Sequence, residues 1–105
     1  MIYNKLVRDR IPEIIEKSGA KAVIEILSDE EFKVYLERKL DEEVAEFHES
    51  KSMEELADIL EVVSALCRAY GYHIENMRAK QFQKLVERGG FTQKILLIEA
   101  IENTK

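Results

Sequence analysis

Two serine-headed capping boxes, Ser28-Asp-Glu-Glu31 and Ser52-Met-Glu-Glu55, constrain this chain more than any other feature. In each, a serine precedes the helical run and a glutamate stands three residues on, so that the two side chains satisfy free N–H groups at a helix start. The first predicts a helix from Asp29 to about Glu49, with an apolar stripe of Phe32, Leu36, Leu40, Val44 and Phe47 at spacings of three and four. The second predicts a helix through Leu56, Ile59, Leu60, Val63, Leu66 and Cys67 that stops at Gly71. Only two or three residues join them, so the pair is expected to fold back as an antiparallel hairpin.

Shorter elements flank the hairpin. Pro12 opens a helical stretch to about Lys17, stopped by Ser18-Gly19. A fourth helix spans about His73 to Arg88 and ends at Gly89-Gly90. Lys21–Leu27 is short and β-branched and reads as a strand, and Lys94–Glu99 is strand-like, with Val23–Leu27 as a candidate pairing partner. No repeat, linker or break in composition divides residues 1–105, which read as a single all-α domain, an antiparallel helical hairpin or bundle that allows a small two-stranded ribbon.

Composition narrows the class. With 46% hydrophobic residues against 35% charged, the chain has the apolar material for a core, which a disordered chain lacks. Its apolar runs, such as Ile95–Ile98, fall far short of the roughly 20 residues of a membrane span. The opening MIYNKLVRDR is charged where an export signal would be apolar, and the lone Cys67 has no disulfide partner, which together point to a cytoplasmic protein. Acidic residues number 21 against 16 basic, a balance unsuited to coating a nucleic acid polymer but compatible with a phosphate ligand held through metal ions.

The placement of those acids carries the chemistry. Glu43 and Glu46 are three apart on the first long helix, and Glu55 and Asp58 are three apart on the second. In an antiparallel hairpin, residues at one level have position numbers that sum to a constant. Glu43 with Asp58, and Glu46 with Glu55, give the same sum, which centres the turn on Ser50-Lys51, where the capping boxes independently place it. Four carboxylates are thus expected at two levels about 4.5 Å apart along the axis. Two like charges about 4 Å apart repel by roughly 4 kcal/mol at an effective dielectric near 20, so such a cluster calls for a cation or for protons. An all-oxygen ligand set suits Mg²⁺, or Mn²⁺, and a magnesium site that keeps open positions suits a phosphate ester. By spacing alone the same glutamates also read as a solvated helix face, and Glu55 as an ordinary capping residue. Glu42, Glu49, Glu54 and Glu61 flank the cluster, and Glu61, three beyond Asp58, is the flanking acid expected to contribute first.

The pattern Glu43-x-x-Glu46 followed by Glu55-x-x-Asp58 on consecutive helices resembles the MazG-like nucleoside triphosphate pyrophosphohydrolases, an all-α superfamily that includes dimeric dUTPases and phosphoribosyl-ATP pyrophosphohydrolase. Tyr3-Asn-Lys-Leu-Val-Arg-Asp-Arg-Ile-Pro12 and Glu87-Arg-Gly-Gly-Phe91 resemble its small phosphoribosyl-ATP pyrophosphohydrolase-like branch. The resemblance implies the all-α NTP pyrophosphatase fold, metal ligation by Glu43, Glu46, Glu55 and Asp58, and a homodimer or homotetramer. It also implies phosphate contacts from Lys80 and, one turn earlier, Asn76. The expected reaction is Mg²⁺-dependent cleavage of a nucleoside triphosphate to monophosphate and pyrophosphate, with Glu43 or Glu46 taking a proton from the attacking water. Phosphoribosyl-ATP as substrate and a non-catalytic helical interaction module are the alternatives.

The remaining polar residues divide between two uses. Lys5, Arg8 and Arg10 form a basic patch that either holds phosphates or neutralises nearby acids. Lys80, Lys84 and Arg88 recur every four residues, a solvated row that opposite a metal site would serve as a phosphate clamp. His48 and His73 lack a nearby nucleophile and read as structural or surface residues, and Cys67 as a small hydrophobe. Tyr70 and Tyr72 are expected to close the core end beside Gly71. No Gly-rich phosphate loop is present. Phe32, Leu36, Val63 and the apolar tail are expected to seek cover by self-association.

Overall fold

The computed structural model describes residues 1–102 and contains four helices: α1 (Ile11–Lys17), α2 (Asp29–Ser50), α3 (Met53–Ala69) and α4 (Ile74–Arg88). The chain divides into two compact units, Met1–Ile74 and Glu75–Lys105.

The first unit is built on the α2–α3 hairpin. Ser28 caps α2 with both arms of its box in place, its hydroxyl accepting from Glu31 N and the Glu31 carboxylate accepting from Ser28 N. Lys51, in the left-handed region at φ 55°, ends α2 by donating its N–H to Phe47 O, and α3 begins after Ser52. The connection is as short as the capping signals require. The stripe of α2 turns inward: Leu36 is 2% exposed, and Phe32, Leu40, Val44 and Phe47 are half-buried. Removing one such side chain from water is worth roughly 1.5–3 kcal/mol. On α3 the buried residues are Val62 and Cys67, flanked by half-buried Ile59, Val63 and Leu66. Leu56 and Leu60, expected on the stripe, lie on its outer edge and are at least half exposed. Leu36 needs no second subunit, since the hairpin itself covers it.

At the far end, α3 stops at Ala69 and Gly71 takes φ 78°, a turn that a residue with a Cβ enters only with strain. Tyr70 does not close the core. It is 47% exposed, its hydroxyl donates to Glu37 at 2.9 Å, and Lys33 lies over its ring. That hydrogen bond to a carboxylate holds the phenol above its ordinary range. A shallow cavity of about 360 Å³, lined by residues that include Asp29, Lys33 and Arg68, lies at this same end.

The second unit consists of the body of α4 and the tail. It buries no residue of α4, and Phe82, Leu85 and Val86 are half or more exposed. The ribbon allowed by the sequence is absent: neither 21–27 nor 94–99 is a strand, and none occurs among the described residues. Two isolated strands are marginal in water unless a third strand or a helix covers one face. Here both segments leave their β-branched side chains exposed, and a turn bonded from Lys94 N to Phe91 O puts Lys94 at φ 60°, out of the extended region. No described helix is long and apolar enough to cross a membrane.

Candidate metal centre

Helical periodicity places the acids on the seam. Glu43 follows Leu36 by two turns of α2, and Glu55 precedes Val62 by two turns of α3, so each lies on the stripe that faces the other helix. Glu43 is accordingly 5% exposed, the one charged residue among those described that is buried. Glu46, Glu55 and Asp58 are half-buried beside it.

The four carboxylates that the hairpin register paired come together. Glu43, Glu55 and Asp58 each offer an oxygen within 4.8 Å of the others, and Glu42, Glu43 and Glu46 form a second such group. Burial of the Glu55 carboxyl raises its pKa above the ordinary range, and the bond to Glu46 and the charges of Glu46, Glu43 and Asp58 push the same way. Glu43 Oε2 and Glu55 Oε2 are buried without a hydrogen-bond partner. Orphaned buried carboxylate oxygens are costly, and a hard cation is the partner that an all-oxygen set of this kind accommodates.

Three basic residues border the cluster. Arg8 Nη2 lies 2.7 Å from Asp58 Oδ1, and Lys5 Nζ lies 3.1 Å from Glu42 Oε1, so the N-terminal segment is tied to both helices of the hairpin. Lys39, only 16% exposed in its side chain, reaches Glu43 Oε1 at 3.1 Å and Glu42 Oε1 at 3.3 Å. Burial by itself would lower the Lys39 pKa, but the bonds to Glu43 and Glu42 and their charges outweigh it and hold the ammonium above its ordinary value. Burial of Glu42 would raise its carboxyl, yet Lys5 and Lys39 draw it below the usual range.

The structure redistributes several expected roles. Glu42, not Glu61, is the flanking acid at the cluster; Glu61 is exposed and faces Arg68 at 3.8 Å, because one more turn of α3 carries it past the seam. Glu49 and Glu54 are exposed. Arg10 turns to Glu13 rather than to the cluster. Glu55 does not complete the second capping box: the Ser52 hydroxyl accepts from Glu55 N at 3.4 Å, but Ser52 N donates to Ser50 Oγ. Asn76, Lys80, Lys84 and Arg88 are all exposed on α4, their last three a row along the second unit. His48 and His73 are both exposed, and Cys67 is a buried free thiol. Lys39 is the residue that sequence reasoning missed. Its signal was present, a lysine three and four residues ahead of two clustered glutamates, where one helical turn brings the side chains together.

Fold and site together define an all-helical chain, among the described residues, whose hairpin gathers acidic side chains into clusters that could hold a metal ion. Compared with family models, with curated proteins and with solved structures, the chain matches none.

Proposed function

We propose that this protein is a divalent-metal-dependent nucleotide pyrophosphohydrolase of the MazG-like, all-α NTP pyrophosphatase type. The observation that carries the reading is the convergence of Glu43, Glu46, Glu55 and Asp58 on one seam with two buried carboxylate oxygens left unpartnered. Glu43, Glu46, Glu55 and Asp58 would hold Mg²⁺ or Mn²⁺, whose all-oxygen preference fits this set. When bound, such an ion neutralises a phosphate chain and lowers the pKa of a coordinated water.

The protein's own groups then have distinct tasks. A carboxylate of the cluster would receive the proton of the water that attacks a phosphorus of the α–β anhydride of a nucleoside triphosphate, as the bridging P–O bond between the α and β phosphates breaks. Of the two candidates, Glu46 is favoured over Glu43, because Glu43 is engaged by Lys39 at 3.1 Å and, among the described residues, Glu46 has no such cation on it. Lys5 and Arg8, exposed beside the carboxylates, are the phosphate-binding cations of the first unit, and Asn76, Lys80, Lys84 and Arg88 are proposed phosphate contacts of the second. Products are the nucleoside monophosphate and pyrophosphate. A cytoplasmic homodimer or homotetramer belongs to the same proposal, supported by the exposed apolar residues of α3 and α4. Phosphoribosyl-ATP is the alternative substrate for the same chemistry.

The test is pyrophosphate release from a panel of nucleoside triphosphates and phosphoribosyl-ATP, with Mg²⁺ and with chelator. Mg²⁺-dependent release from a member of the panel is expected. Folded protein that releases pyrophosphate from none would sink the enzyme and leave the helical interaction module.

A further inference from the structure

Resting on the metal reading of the acidic cluster, we infer that Lys39 is a positioning residue: its ammonium clamps one oxygen of Glu43 and presents the other to the cation. The three basic residues around the cluster are not equivalent. Arg8 and Lys5 are 55% and 40% exposed in their side chains, and solvated cations of that kind suffice to offset acidic charge. Lys39 is withdrawn to 16% exposure, where an ammonium must be bonded to be tolerated. It donates a hydrogen bond to Glu42 Oε1 at 3.3 Å and forms an ion pair with Glu43 Oε1 at 3.1 Å, and the Glu43 side chain is 6% exposed. Glu43 Oε2 is left buried and unpartnered.

That division of labour fixes a carboxylate which would otherwise rotate between equivalent states. With Oε1 held one helical turn back on the same helix, the direction of Oε2 follows from α2 itself and not from a loop. Partners of this kind, which orient a metal-ligating side chain without touching the metal, are worth roughly 10–100-fold in metal affinity. A lysine beside a cation site also repels the cation. The two roles open to Lys39 therefore predict opposite signs: removing a mere counter-charge tightens metal binding, and removing a positioning clamp weakens it.

The experiment titrates Mn²⁺ alone, read by the loss of the free-ion electron paramagnetic resonance signal, into wild type, Lys39→Met, Lys39→Gln, Lys39→Arg and Glu43→Gln. Circular dichroism of each variant in chelator checks the fold. Lys39→Met and Lys39→Gln are expected to weaken Mn²⁺ binding roughly 10–100-fold, and Lys39→Arg to restore it to within about threefold of wild type, since arginine keeps the donor and the charge. Glutamine, polar at its tip, supplies the result if the methionine variant does not fold. Unchanged or tighter binding by a folded Lys39→Met or Lys39→Gln overturns the role of Lys39 and leaves the metal site standing. Wild type that takes up no Mn²⁺ overturns both.

Discussion

At the start of α2 the Glu31 carboxylate turns back to its own serine, accepting from Ser28 N at 3.3 Å and from the Ser28 hydroxyl at 3.0 Å. At the start of α3 the equivalent Glu55 leaves its serine and turns across the seam to Glu46, Glu43 and Asp58, while the Ser50 hydroxyl takes over the free Ser52 N–H at 3.2 Å. The motif is the same in both places, and the surroundings differ. Glu31 is exposed and finds only its own helix end. Glu55 lies on the seam two turns before Val62 and finds three carboxylates of the hairpin. A glutamate that abandons a cap for a cluster of like charge gives up local stability, and such a cost is characteristic of sites that bind something.

The largest effect expected from this contrast is on the proposed activity. Under the proposed function, Glu55→Ala should lower Mg²⁺-dependent pyrophosphate release by on the order of 100-fold or more, beyond the loss expected of an outer partner. The matching Glu31→Ala should leave turnover unchanged and cost about 1 kcal/mol of stability, the usual worth of a cap. Steady-state kinetics and denaturant melts of the two variants separate the roles; equal activities would erase the contrast.

Metal addition should sharpen it next. At a hundredfold excess of Mg²⁺ over Kd, wild type should gain about 2.7 kcal/mol. Glu31→Ala should keep that gain in a thermal melt, and Glu46→Gln should lose most of it.

A third, smaller effect is on pH dependence in chelator. The folded pKa of Glu55 is raised, so the folded state binds more protons than the unfolded one between the ordinary glutamate range and the raised value. Stability from this group is therefore complete below the unfolded pKa and is lost as pH rises through the folded pKa. Tm of Glu55→Gln minus that of wild type should grow as pH rises from about 4 towards neutrality, and Mg²⁺ should shrink it. A difference that is flat with pH would mean that Glu55 does not titrate against the cluster.

The smallest effect concerns the serines. Ser28→Ala removes a box with both arms made and should cost about 1–2 kcal/mol. Ser52→Ala removes a longer bond of 3.4 Å and should cost about 0.5 kcal/mol. Urea melts compare the two directly.

Much of the candidate site is legible in the order of residues alone. The equal sums of Glu43 with Asp58 and of Glu46 with Glu55 place four acids at two levels, and they meet there because a two-residue turn leaves an antiparallel pair almost no freedom of register. The strand readings fail for the complementary reason. A β-branched run such as Val23–Leu27 specifies a strand only when something pairs with it and covers it, and no local pattern supplies either. The choice between Glu42 and Glu61 is equally closed to spacing, because it depends on which side of the seam each turn of helix reaches.

By itself the sequence determined where α2 and α3 begin, how they fold back and which acids share a level, since caps and periodicity act within a single turn of backbone. Only the tertiary structure decided that Glu55 would leave its cap, that Lys39 would hold one oxygen of Glu43 with the other unpartnered, and that Lys5 and Arg8 would reach Glu42 and Asp58, 37 and 50 residues away. Those choices lie between partners that differ by about 1 kcal/mol, and burial and contacts distant in sequence settle differences of that size.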